Sequence, residues 1–406
     1  MMRMPRILFV TYGGGHVNVV VPLIRRIRAE GWAEPLVVGL TTAAAVLRRE
    51  GIPHFGFKDF LEPGDADALA EGDRLVAELP AGGTVDTEES RAYLGISYHE
   101  LIEASGREEA ERLYRDHGRI VFLPRKYLGR ILDRLRPDLV VASNSPRAEQ
   151  AALEVAEERG LPSLCIKDHL GVWEMDRLAR PGFGGRLCVF SESVKREIVA
   201  RGRPAEEITV TGNPDFDHLL RPGLAEEGRQ LRRERGWDDL TRVIVWASHT
   251  WPARPEMPQQ IEQGLLEANA RHPEWRLVIR RHPSEPPLGG SLPPRVLSSG
   301  REEDLATLLM ASDLVVTMLS TVGLQARLLG KRMMSIILPT ETPDADLYHK
   351  HGLATRYLTD LAPLERSLVD ALAEPESFPT GFPTLGAATD NVLAVIRAEL
   401  GRRPRA

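Results

Sequence analysis

The sequence predicts an α/β protein of two doubly wound domains, each a parallel sheet with helices on both faces. Three observations predict it. Short β-branched runs alternate with helical apolar patterns along most of the chain. The strand-like runs are apolar almost without interruption, as in strands covered on both faces. Ten or more such runs are too many for one doubly wound sheet, so two domains in tandem fit better.

Taken in order, Ile7–Tyr12, Pro35–Leu40, Asp138–Ser143, Ser163–Lys167, Arg186–Phe190 and Ile208–Thr211 read as the strands of the first half. The first of them runs into Gly13-Gly14-Gly15-His16, after which Val19, Val20, Leu23, Ile24 and Ile27 recur at helical spacing. Residues 59–118 break the alternation with 16 acids against 5 arginines, and they read as a solvated helical insertion. The turn Gly212-Asn213-Pro214 closes the first domain at residue 214. Arg242–Ala247, Trp275–Arg280, Arg295–Ser298, Asp313–Thr317 and Met333–Leu338 are the strands of the second, over 215–386. A last helix and tail, 387–406, can belong to either domain.

Composition narrows the classes. Basic and acidic residues nearly balance, 52 against 58, and the net charge of −6 is no footprint for nucleic acid. Only two cysteines are present, Cys165 and Cys188, both in apolar runs, which excludes a disulfide framework and a thiolate zinc site. No apolar stretch approaches the ~18–20 residues of a membrane span, and the apolar run Ile7–Val10 is too short for a secretory leader. The expectation is a soluble, cytoplasmic protein.

The candidate chemistry lies in strand-end loops. The turn Gly13, Gly14, Gly15 between a strand and a helix allows a sharp bend and close approach of a ligand. It is no dinucleotide fingerprint, because Asn18 stands where the third glycine is needed and the second strand ends without an acid. His16 sits at the carboxyl end of the first strand, where open α/β sheets bind ligands, and suits a general base. In the second half, Ser320 or Thr321 caps the helix that follows Asp313–Thr317, and its free N–H groups form an anion site. Gly323 permits close approach, and Gln325 projects an amide from the same helix. The loops Ser248-His249-Thr250 and Arg280-Arg281-His282-Pro283 also end strands. His249, Thr250, Arg281 and His282 thereby join a pyrophosphate pocket with Ser320 and Thr321. Asp215-Phe216-Asp217 has no histidine trio beside it, so no metal is expected.

Together these segments resemble the GT-B glycosyltransferase superfamily, whose two Rossmann-like domains face a central cleft. The glycine loop 13–18 with Pro22-Leu23 resembles that superfamily's acceptor-side loop. Thr211-Gly212-Asn213-Pro214 resembles a segment shared with its UDP-GlcNAc 2-epimerase and CDP-glycerol glycerophosphotransferase branches. Arg281-His282-Pro283 matches the basic element of the latter branch, and 312–331 resembles the common donor signature. The resemblance implies His16 as base, Ser320, Thr321 and Gly323 as pyrophosphate contacts, and His282 near the phosphates. It adds Asn213 to the donor set, and places Gln325 where the family has a ribose-binding glutamate. The epimerase branch has acidic and histidine elements where this chain reads Ala142-Ser143-Asn144-Ser145 and Ile166-Lys167-Asp168-His169, so its catalytic acids are not expected here.

The implied activity is transfer of a sugar from a nucleotide-diphosphate sugar to a hydroxyl or amine of a small molecule or glycan. It would be metal-independent and inverting, and the nucleotide sugar would serve as co-substrate with no other cofactor. The alternatives are a CDP-alcohol phosphotransferase, an NDP-sugar 2-epimerase or hydrolase, and a non-catalytic nucleotide-sugar binder. No partner acid for His16 is evident from the sequence. If the acidic insertion lines the acceptor site, its charge favours a cationic acceptor, with Tyr93, Tyr98, Tyr114 and Phe122 available to stack on a ring.

Overall fold

Two six-stranded sheets, every strand parallel to its neighbours, organise the computed structural model of the chain. It describes residues 3–401 except 80–84, 172–173, 283–284, 286–287, 289, 301 and 343. The first sheet contains β1 (Arg6–Thr11), β2 (Glu34–Gly39), β3 (Leu139–Ser143), β4 (Ser163–Ile166), β5 (Arg186–Val189) and β6 (Ile208–Val210), in the order 2-1-3-4-5-6. Phe55 adds a single parallel bridge to Val38 at the β2 edge. The second contains β7 (Arg242–Ala247), β8 (Trp275–Arg280), β9 (Val296–Ser299), β10 (Leu314–Thr317), β11 (Arg332–Ile336) and β12 (Arg356–Leu358), in the order 12-11-10-7-8-9. Each expected strand is present with ends within two residues. β12 was not expected: three half-buried residues, Arg-Tyr-Leu, give no apolar run to read.

Both sheets reverse direction of growth once. β2 lies on one side of β1 and β3 on the other, and β8 and β10 flank β7 in the same way. At such a switch point the loops leaving the two central strands part, and a crevice opens at their carboxyl ends. The candidate residues after β1 and β3, and after β7 and β10, stand at these two points.

The chain divides into two compact units, Met1–Asp217 with Phe382–Ala406, and His218–Gly381. Helix Ala388–Leu400 belongs to the first unit, because Val392, Leu393 and Ile396 are buried in one core with Val20, Ile24 and Ile27 of helix His16–Glu30. Asp217 holds it there by accepting the N–H groups of Ala388 and Thr389, at 3.1 and 2.7 Å. That is a helix cap, and it accounts for one carboxylate of the Asp-Phe-Asp turn.

The insertion is helical, with helices Ala66–Ala77, Thr87–Ser105 and Arg107–His117. Two glycines set the closest crossing. A Cβ on Gly72 would lie 2.2 Å from the Arg91 carbonyl oxygen, and one on Gly95 the same distance from that of Ala68. Much of its acidity meets its own arginines: Asp73 pairs with Arg91 at 2.6 Å and Glu71 with Arg107 at 2.6 Å. Tyr93, Tyr98 and Phe122 are each only 1% exposed. They form the packing of this region and offer no face to a ligand, which corrects the stacking expectation for these three, while Tyr114 is half-buried. Among the described residues no helix is long and apolar enough to cross a membrane.

Candidate functional site

Gly13 and Gly14 have φ of 145° and 59°, so only glycine sits there without strain. A Cβ on Gly13 would lie 2.3 Å from the Thr42 hydroxyl. The close approach that Gly13 allows is thus to the chain itself. Thr41 donates its hydroxyl to the Tyr12 carbonyl, and the Gly14 N–H donates to Thr42 Oγ1 at 3.2 Å. Gly14 and Gly15 are exposed, with no atom within 4 Å of an added Cβ. The bend delivers His16 as the first residue of its helix, and its ring does not cap that helix.

His16 meets a carboxylate. Its Nδ1 lies 3.3 Å from Asp168 Oδ2, an ion-pair contact rather than an aligned hydrogen bond. Asp168 follows β4, is buried, and is held from several sides. Its N–H donates to Asn144 Oδ1 at 3.2 Å, and its carbonyl accepts from Asn213 Nδ2 at 2.6 Å. Asn144 in turn donates to Glu174 at 2.8 Å, and Glu174 pairs with the fully buried Lys167. His169 Nε2 lies 3.6 Å from the other Asp168 oxygen, while its Nδ1 accepts the Gly171 N–H at 3.0 Å.

The charges act on one another. Burial pushes the His16 imidazole down, but Asp168 and, behind it, Glu149 outweigh this and hold its pKa above the ordinary value. Burial likewise works to raise Asp168, and His169, His16 and Lys167 together hold it well below the carboxylate range. Glu149 is fully buried and accepts the Tyr12 N–H at 2.7 Å. Its burial wins, pushing it up to about 7.

The sequence offered no partner acid for His16, and the structure puts Asp168 against it. The available signal was Asp168-His169 directly after an apolar strand, at the end where ligands bind. Asn213 belongs to this unit, and its amide is occupied at both ends: Nδ2 on Asp168 and Oδ1 on the Asp215 N–H at 2.9 Å. Both of these bonds lie within the first unit, and through the first of them Asn213 positions Asp168.

In the second unit, Ser320 caps helix Thr321–Leu328 by accepting the Val322 N–H at 3.3 Å. Thr317 ties the two central strand ends together, donating to the Ala247 carbonyl at 3.0 Å and accepting the Ser320 N–H at 3.2 Å. Thr321 and Thr250 are exposed, and Gln325 is half-buried. A Cβ on Gly323 would lie 2.6 Å from Thr317 Cγ2, so this glycine seats the helix against β10 and faces away from any ligand.

His249 and Arg281 depart from expectation. His249 Nε2 accepts the Leu319 N–H at 3.1 Å, which leaves Nδ1 to donate to the Thr250 carbonyl at 2.9 Å. Burial lowers its pKa, so the ring is neutral with both nitrogens engaged, and it has no donor for a phosphate. Arg281 pairs with Glu262 at 2.6 Å and Glu285 at 3.4 Å. Glu285 also accepts the Ser248 hydroxyl and the His282 N–H, both at 2.8 Å. Arg281 therefore braces its own loop. His282 stands exposed at that loop, and Pro283 lies outside the described residues.

No protein-family profile matches this sequence, and no curated protein matches it. Solved structures do. A candidate UDP-N-acetylglucosamine 2-epimerase from Listeria monocytogenes is 17% identical, with 99% of each chain covered and a TM-score of 0.61. A UDP-GlcNAc 2-epimerase from Neisseria meningitidis, solved with UDP-GlcNAc bound, is 15% identical over 97% of this chain and 100% of that one, at 0.58. The glycotransferase of kitacinnamycin is 17% identical over 98% and 95%, at 0.52. The chain has a GT-B-like fold. Identities this low carry the architecture, and the chemistry rests on the residues.

Proposed function

We propose that the protein is a metal-independent glycosyltransferase that moves a sugar from a nucleotide-diphosphate donor to a hydroxyl or amine. The observation that carries this reading is the contact between His16 Nδ1 and Asp168. A carboxylate on Nδ1 keeps the proton there and leaves Nε2 as the base, and it stabilises the imidazolium that forms. Nε2 takes the acceptor proton, the acceptor oxygen or nitrogen attacks the anomeric carbon, and the bond to the diphosphate breaks. One direct displacement inverts that carbon. In the second unit, the first turn of helix Thr321–Leu328 and His282 are assigned to the leaving diphosphate.

A second reading, NDP-sugar 2-epimerase or hydrolase, draws support from two buried carboxylates near His16 and from the fold likeness to epimerases. The test is a panel of UDP-, dTDP-, GDP- and CDP-sugars with CDP-glycerol, in deuterated water, with and without acceptors. Acceptor-dependent NDP release supports transfer, and NMP release supports the phosphotransferase. Deuterium entering the sugar without an acceptor supports the epimerase. His16→Ala should lower transfer by roughly 10²–10⁴ with donor affinity within a few-fold.

A further inference from the structure

Among the described residues, Arg147 makes no ion pair. It follows β3 as the residue before helix Ala148–Glu158, with φ 74° and ψ −123°, a conformation that costs a non-glycine residue free energy. Its guanidinium lies 4.1 Å above the ring of Tyr12, the residue that opens the glycine loop. Its Nε is shut off from solvent with no acceptor, and among the described residues no carboxylate pairs with it. Glu149 feels its charge, but one Glu149 oxygen is spent on the Tyr12 N–H and the other bonds to nothing. A second guanidinium, Arg119, faces the phenol oxygens of Tyr12 and Tyr114 from the insertion's side. His16 is near enough for the charge of Arg147 to act on it.

A half-buried guanidinium with an unmet Nε is costly, and here strain and stacking both keep it in place. The stacking on Tyr12 and the field of Glu149 offset part of that cost, but neither gives the guanidinium an acceptor. An oxyanion would, because its two oxygens match the arginine fork. We infer that Arg147 and Arg119 bind a carboxylate or phosphate on the acceptor, beside the hydroxyl or amine that His16 deprotonates. This runs against the expectation of a cationic acceptor, whose basis was the charge of an insertion in which part of the acidity is met by its own arginines. The word acceptor rests on the proposed transfer reaction, whereas the anion site stands on the contacts alone.

The test uses the full chain and three probes, benzoate, phenyl phosphate and neutral benzamide, with binding followed by calorimetry or saturation-transfer NMR. At least one anion should bind tenfold or more tighter than benzamide, and the tighter of the two names the carboxylate or phosphate class. Arg147→Met and Arg119→Gln should each remove most of that preference, and Arg147→Lys should retain part of it. Equal binding of all three probes overturns the inference, as does a preference that survives in both folded variants. NDP release is measured separately. Anion binding without NDP release sinks the transfer reading and leaves the site. NDP release to neutral acceptors only, without anion binding, does the reverse.

Discussion

Asp168→Asn isolates the contact on which the proposed transfer depends. The carboxylate favours the imidazolium, so its loss lowers the His16 pKa. The acid limb of the kcat/KM profile should then move to lower pH while the plateau falls, because the ring also loses what fixes its tautomer. A profile that keeps its limb would show that Asp168 does not act on His16. Glu149 gives an opposite case. Its pKa is raised to about 7, so between the ordinary carboxylate range and pH 7 the folded state binds the extra proton, and stability falls as pH rises through that window. Glu149→Gln keeps an acceptor for the Tyr12 N–H and does not titrate. Its stability relative to the wild type should therefore improve from pH 5 to pH 8, by roughly 1–3 kcal/mol at ~1.4 kcal/mol per pKa unit. Denaturant titrations at the two pH values measure it. At this scale the histidine was legible, because a titratable ring after three glycines is visible in a string of letters. Its acid was not, since Asp168 lies 152 positions beyond His16 and only the sheet order, with β3 alone between β1 and β4, brings their loops together.

Elements were more legible than contacts. Apolar strands announce themselves through composition, so eleven of the twelve were readable and only the half-buried β12 was not. What the periodicity did not reveal is how the insertion helices touch. Gly72 and Gly95 look like weak helix formers, yet they are what lets two backbones meet. Gly95→Ala should destabilise by about 1–3 kcal/mol, the usual cost of overpacking, where helix propensity alone predicts a gain of about 1 kcal/mol. Thermal unfolding decides the sign. The capped helix at 321 was readable from Ser320, and Ser320→Ala should cost about 1 kcal/mol of stability. Calorimetry with UDP and dTDP on that variant tests whether the same helix terminus binds a diphosphate, and unchanged affinity removes it from the donor site.

At the scale of the whole molecule, the chain's last helix returns to its first unit. Removing residues 388–401 would expose the faces that Val392, Leu393 and Ile396 cover, each burial worth about 1.5–3 kcal/mol. Such a chain should lose hydrogen-exchange protection in β1, β2 and β3 while β7 and β10 keep theirs. Uniform protection would mean that the helix is dispensable. The two parallel sheets, the strand-end loops and a histidine at the first of them can be read from the chain alone, because they follow from apolar runs, glycine turns and spacing. Which polar groups are already engaged depends on three-dimensional packing. His249, Arg281 and Asn213 carry the right donors for a phosphate, but they donate to the Thr250 carbonyl, to Glu262 and Glu285, and to the Asp168 carbonyl. Arg147 carries the same chemistry and is left unclaimed. A buried polar group satisfies itself with whatever lies within hydrogen-bond reach, and that neighbourhood is set by packing in three dimensions.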